Sequence, residues 1–354
     1  MAVWCTGLTA SSSSELEAHF NYWRISGDED FRRVRKAAAK DFLEIGVMVS
    51  DPSQVGHVCL YIPQSIKGES ITDCGGYFSK PEIAQGIFNE LLSTAQVAGP
   101  GNRCIELRKG ADLFCRVHRF MPKDNGIDSS ELTIADFAGG TLLTITRQAL
   151  NETSLQQTNP IRTYFRIRVL IETDGVPAFI RTVPTPDRFL QSGFDEIEYI
   201  DFRLNEARTL PPQVETRMRD EGANLHMKLT LVAFLTAVPV RSGLSVSNTQ
   251  FHKLRLLEHG LWSGYVPGGI PDGMMVYHWK RHSVTGIGDF SAFVKLQTRR
   301  TGRKTLLTYL GVAFVFGIAG NLAASALENW WSSPAVSTPA SSTPSDSARI
   351  GGTK

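Results

Sequence analysis

The sequence predicts an α+β fold: a predominantly antiparallel β body, sandwich-like or built on a curved sheet, with a few helices and one C-terminal transmembrane helix. Three observations predict it. Apolar residues alternate with a period of two through much of the chain, as in Phe165, Ile167, Val169 and Ile171 set against Arg166 and Arg168. Such alternation marks a strand with one buried and one wet face. No regular helical segments separate the strands, as a doubly wound parallel sheet would require. Finally, Leu306–Leu327 carries no charged residue, and at ~1.5 Å per residue it is long enough to cross a ~30 Å hydrocarbon core.

Taken in order, residues 1–26 are Ser-rich and read as a loosely ordered lead-in, with Phe20, Tyr22 and Trp23 free to dock on the body. The body is expected over residues 27–298. Its first element is a helix over Asp28–Lys40, acidic at its start and basic later, which suits the helix dipole. Leu43–Val49 and Val58–Ile62 alternate around a DPSQ turn and read as a hairpin or meander. A helix opens at Ser79, with Pro81 and Glu82 in its first turn and an apolar stripe of Ile83, Ile87, Phe88 and Leu91. Ala98–Asn102 ends it. The chain then reads as strands at Cys104–Leu107, Asp112–Phe120, Thr141–Ala149, Thr163–Ile171, Phe179–Val183, Glu196–Leu204, Leu225–Val238, Met274–Lys280 and Asp289–Gln297. Helices are expected at Pro211–Asp220 and Phe251–Leu261. An internal domain boundary could fall near 122–130 or 151–160, which leaves one or two soluble domains open.

A basic juxtamembrane segment (299–304), the membrane helix (305–328) and a Ser/Thr/Pro-rich disordered tail (329–354) complete the chain. Lys295, Arg299, Arg300, Arg303 and Lys304 precede the apolar run, and no Lys or Arg lies between Glu328 and Ser347. The positive-inside rule therefore puts the body in the cytoplasm and the tail on the opposite side. The N-terminus lacks the basic and apolar regions of a signal peptide. The five cysteines are widely spaced without a CxxC pair, which argues against a disulfide framework and suits a reducing compartment. A net charge of only +2 gives no global electrostatic reason to expect nucleic acid as a partner.

Chemistry is sparsely signalled. His57 and Cys59 share a strand face, Cys104, Cys115 and His118 fall in one hairpin, His278 and His282 are four apart, and His252 and His259 are seven apart. None has the spacing of a recognisable zinc motif, so no metal or cofactor is assigned, and the cysteines read as small buried hydrophobes. There is no GxSxG elbow. Asp195, Glu196, Glu198 and Asp201 with Arg203 could suit a nuclease-like metal site, but acids and bases on a strand more often form pairs on a solvated face. Gly75–Lys80 and Pro267–Gly273 contain glycines without a phosphate-binding signature and read as turns, although Asp73-Cys74-Gly75-Gly76 before a helix could receive an anion with Lys80. No catalytic residue is assigned.

Within the apolar run, Ala313, Gly317, Asn321 and Ser325 recur every four residues, and Gly320 with Ala324 forms a second such pair. A stripe of small residues with one amide suits helix–helix association. The sequence therefore describes a membrane-anchored cytoplasmic binding or sensing module, expected to self-associate and to take an unidentified protein or small molecule. The alternative is a membrane-perturbing effector whose body senses a trigger and drives helix oligomerisation, a layout similar to that of bacterial defence effectors. An anchored hydrolase or nuclease is a third possibility.

Overall fold

The computed structural model describes residues 1–34, 40–97, 103–124, 126–154, 160–171, 179–183, 195–222, 227–299 and 303–331. They form two compact units, Met1–Arg299 and Arg300–Lys354. The architecture is mixed α+β and mostly sheet, with six α-helices among the described residues. Most strand pairs are antiparallel. Two are parallel: Met227–Pro239 beside Ser14–Trp23, and Thr163–Leu170 beside Asp112–Val117.

A ten-stranded sheet forms the centre. Its order is Lys253–Leu256, Met274–His282, Met227–Pro239, Ser14–Trp23, Phe42–Val49, Thr163–Leu170, Asp112–Val117, Ile105–Lys109 and Ser93–Gln96, with Ile71–Asp73 also pairing to Thr163–Leu170. A four-stranded sheet runs Ala2–Gly7, Val55–Ile62, Gly140–Ile145 and Leu132–Phe137, and another runs Ile180–Val183, Asp195–Leu204, Phe290–Arg299 and Ser242–Ser247. One continuous apolar core joins a face of the large sheet (Phe20, Ile45, Phe165, Phe234) to the inner faces of both smaller sheets (Val58, Leu60, Leu143 and Ile200, Phe202, Val294). Sheet-on-sheet packing of this kind needs the period-two alternation that the sequence carries.

Several expectations are corrected. The supposed lead-in is two strands, Ala2–Gly7 and Ser14–Trp23, and the second lies inside the large sheet with Leu16, Ala18, Phe20 and Tyr22 buried. Phe42–Val49 and Val55–Ile62 do not form a hairpin; they belong to different sheets, since both edges of each are taken by other strands, Ser14–Trp23 and Thr163–Leu170 for the first and Ala2–Gly7 and Gly140–Ile145 for the second. The Asp28 helix covers Glu29–Val34, and residues 35–39 lie outside the described ones. The Ser79 helix runs Pro81–Phe88, preceded by a 3-10 turn over Gly75–Ser79, and stops where Asn89 takes a left-handed φ of 55°. Leu91 is consequently exposed and not part of its stripe. Phe251–Leu261 splits into an exposed edge strand, Lys253–Leu256, and a short helix, His259–Ser263. Around residues 122–130 the chain makes a small two-stranded ribbon, Pro122–Lys123 with Gly126–Ile127, inside the first unit. Thr141–Ala149 ends as a strand at Ile145, and the helix Arg147–Ser154 runs into the second proposed boundary, whose residues 155–159 lie outside the described ones.

The apolar segment is a helix over Arg303–Trp331, and Leu307–Trp331 is long and apolar enough to cross a membrane. Among its residues with described side chains, Phe314, Phe316, Ile318 and Leu322 are exposed. The tail from residue 332 and Arg300 lie outside the described residues.

Candidate functional site

The second face of the large sheet was expected to be wet, and it is not. Alternation does put Arg166 and Arg168 opposite Phe165 and Ile167, but this face is covered by the segment Gly75–Phe88 and by residues Leu257–Ile270. Arg166 and Arg168 are therefore fully buried. Register sets Arg168 beside Glu44, and both guanidiniums pair with that one carboxylate. Arg166 also donates to the Tyr164 hydroxyl (2.9 Å) and the Tyr265 hydroxyl (3.1 Å). Arg168 lies 4.5 Å from the centre of the Phe42 ring and 5.0 Å from that of Tyr265. Burial alone would raise the Glu44 pKa, but the two guanidiniums hold it below the ordinary value. Two cations against one anion leave a buried excess of positive charge, spread over ring faces. Gly46 makes room for this cluster, since a Cβ there would sit 1.9 Å from the Tyr164 oxygen.

Beside it, at the edge of the sheet, lies a cavity of about 630 Å³ lined by Thr72, Asp73, Tyr77, Lys80, Arg103 and Arg119, among others. Ile71–Asp73 hangs on Thr163–Leu170 through three register pairs, which fixes where the cavity wall begins. Gly75 after it is required by close approach: a Cβ there would lie 2.2 Å from the His118 carbonyl oxygen. The opposite wall is held by the buried Glu131, which pairs with Arg103, contacts His118 Nε2 at 3.1 Å and accepts from the Met121 N–H at 2.9 Å. Burial works against its charge, yet these bonds pull the Glu131 pKa down to about 2. Asp73 goes the other way. Burial pushes its carboxyl up to about 7, against hydrogen bonds from the Gly75 and Phe120 N–H groups and the field of Arg119. The cavity thus combines cationic groups with a carboxyl that changes charge near neutrality, an arrangement suited to an anionic or mixed polar ligand.

Most residues singled out in the sequence do not converge. Cys115 packs in the core beside Leu107, while His118 turns to Glu131. His278, in the strand Met274–His282, lies 5.7 Å ring to ring from His252, just before the strand Lys253–Leu256, and His259 meets Asp272 at 3.2 Å. All five cysteines are free and buried. Glu198 is buried and paired with Arg24, and Asp201 pairs with Arg203 at 2.8 Å. Lys295 and Arg299 belong to the strand Phe290–Arg299, and Lys295 lies 6.0 Å from the Tyr199 ring centre. Arg303 and Lys304 open the apolar helix, on which Ala313, Gly317, Asn321 and Ser325 are all exposed.

Two features escaped sequence reasoning. Glu44 sits in an apolar-looking strand, and the Arg103–Glu131–His118 group comes from three segments. A charged residue inside a run otherwise matching a buried strand was the one available signal for Glu44. No known protein family matches the chain, and no curated protein sequence or solved structure is significantly similar to it.

Proposed function

We propose that the protein is a membrane-anchored binding module, in which the β-rich body faces the cytoplasm and takes an anionic or mixed polar ligand at the Asp73–Arg119 cavity. The observation that carries the anchor is the helix Leu307–Trp331, whose apolar window contains no buried residue. In water such a surface would be costly, at roughly 25 cal/mol per Å². The charges support the same reading. Arg303 and Lys304 occupy the first turn of that helix, where cations oppose the macrodipole by about 0.3–1 kcal/mol each. An anionic leaflet offsets this with about 1 kcal/mol per base.

Flotation of the full chain with vesicles containing phosphatidylserine tests the anchor. The wild-type protein should float and resist carbonate extraction. The double change Val315→Arg with Gly320→Arg should leave it in the soluble or aggregated fraction, since each mid-helix arginine costs ~2.5–3.5 kcal/mol on insertion. Retained carbonate resistance in that variant would sink the reading. Protease protection of a C-terminal epitope in sealed microsomes checks the orientation.

A second reading, a membrane-perturbing effector, is favoured by Asn321, an exposed amide in the middle of the apolar run, with Gly317 and Ser325 on the same stripe. Dye release from vesicles on expression, relieved by Asn321→Leu, would support it; a chain that binds vesicles without leakage would remain a tether.

A further inference from the structure

The outer face of the sheet containing Val55–Ile62 is covered by the helix Pro212–Glu221, through Trp4, Tyr61, Leu142 and Val214. At the end of that helix Glu221 arrives over His57 and Cys59, which share this face because they are two apart on one strand. We propose that His57, Cys59 and Glu221 form a zinc site with three protein ligands and a fourth position open to solvent.

Geometry comes first. Glu221 Oε2 lies 3.5 Å from His57 Nε2 and 3.8 Å from Cys59 Sγ, and the three ligand atoms all fall within 4.8 Å of one another. Zinc bound tetrahedrally to sulfur, nitrogen and oxygen spaces its ligand atoms about 3.3–3.6 Å apart. Small side-chain adjustments close the difference. The same distances make poor hydrogen bonds: 3.5 Å between imidazole and carboxylate is beyond the usual range of about 2.7–3.2 Å. The trio is spaced for an ion between its members rather than for contact among themselves.

Each ligand is also held from behind. Thr6 Oγ1 lies 3.1 Å from His57 Nδ1, which leaves Nε2 facing the carboxylate. Trp4 Nε1 donates to Glu221 Oε2 at 2.8 Å, and Arg217 Nε donates to Oε1 at 2.7 Å. Arg217 thereby occupies the second oxygen, so Glu221 binds through Oε2 alone. Thr144 Oγ1 approaches Cys59 Sγ at 3.9 Å. Such outer partners orient metal ligands and fix the histidine tautomer. Cys59 is fully buried, whereas the His57 and Glu221 side chains are 33% and 25% exposed. The ion enters from that side, and water completes its shell there. Binding releases the Cys59 proton to solvent, and Zn²⁺ with a thiolate and a carboxylate forms a neutral centre. Thiolate and imidazole together select zinc over magnesium or calcium.

The test uses the full chain in detergent, freed of metal by chelator and titrated separately with ZnCl₂ and CoCl₂. One equivalent of zinc should remain after gel filtration. Cobalt should give a near-ultraviolet thiolate charge-transfer band with the visible bands of a low-coordinate site. Cys59→Ser should abolish the charge-transfer band, and Cys74→Ser, at a buried cysteine elsewhere, should keep it. His57→Gln, at a half-exposed position that leaves the core intact, should lose stoichiometric zinc, and Trp4→Phe should weaken binding by about 10–100-fold. Absence of the charge-transfer band from the wild-type protein, or zinc held equally by wild type and His57→Gln, would overturn the site and leave Cys59 a thiol packed beside an ion-paired carboxylate.

Discussion

Glu44 is the residue on which the covered face of the large sheet depends. Among the described residues it is the one carboxylate paired with both Arg166 and Arg168, and all three side chains are buried. Removing its charge strands two guanidiniums in the core. Glu44→Gln should therefore lower the stability of the body by about 3–5 kcal/mol, read as the urea midpoint of the full chain in detergent. A midpoint within error of wild type would show that the rings of Phe42 and Tyr265 suffice to hold the charges. The linkage has a definite sign. The Glu44 pKa is lowered on folding, so its contribution is present above the unfolded carboxylate value and is lost as pH falls through the lower folded one. Little of this was legible beforehand. Alternation located Arg166 and Arg168 on the right face, but Glu44 lies more than a hundred residues earlier and the cover comes from residues 75–88 and 257–270. Periodicity assigns a side chain to a face; it does not say what closes over that face.

At the scale of elements, strands with unbroken alternation were read almost to their ends, as Thr163–Leu170, Asp195–Leu204 and Met227–Pro239 show. Ser14–Trp23 carries an equally clean pattern in Leu16, Ala18, Phe20 and Tyr22, but the neighbouring serines suggested disorder. Composition misled where periodicity would have served. The pairing between Phe42–Val49 and Thr163–Leu170 also needs Gly46, because the Tyr164 ring carbon bearing the hydroxyl would lie 2.6 Å from a Cβ there. Gly46→Ala should cost about 1–3 kcal/mol by overpacking, measured by thermal unfolding of the body signal. The opposite edge, Lys253–Leu256, is exposed along its length and carries Lys253 and Arg255. Cations on such an edge discourage further strands from joining it. The cavity was half legible: the Asp73–Lys80 segment stands out in the sequence, but its second wall, Arg103 and Arg119, could be placed only by the sheet.

The whole molecule should be sensitive to acid in a particular window. Burial lowers His19 to about 3, with Arg166 adding to it, and lowers His278 to about 4, with His252 and nearby lysines adding. Both are neutral when folded, whereas the unfolded chain protonates near pH ~6.5. The unfolded state then binds more protons, so stability is full above about pH 6.5 and falls as pH drops toward the folded values. Each histidine contributes a slope of at most ~1.4 kcal/mol per pH unit, reduced by its partial exposure to water. Urea midpoints measured between about pH 7.5 and 4.5 should decline, and His278→Asn should flatten the decline. Asp73, whose carboxyl is raised to about 7 on folding, takes up its proton first in the folded state and opposes this decline. A profile that is flat in Asp73→Asn as well as in the wild type would mean that neither imidazole is held neutral.

The parallel pairing of Ser14–Trp23 with Met227–Pro239 joins segments roughly 210 residues apart, a non-local contact of the kind that slows folding. One edge of Ser14–Trp23 can be sealed early by Phe42–Val49. The other waits for a strand synthesised far later, and at about 5–20 residues per second that wait lasts on the order of ten seconds or more. For that interval the growing chain presents an open apolar edge. The same pairing that places the N-terminal strand at the centre of the finished body makes its birth dependent on something to shield that edge, and a purified unfolded chain should recover its fold slowly and best at high dilution.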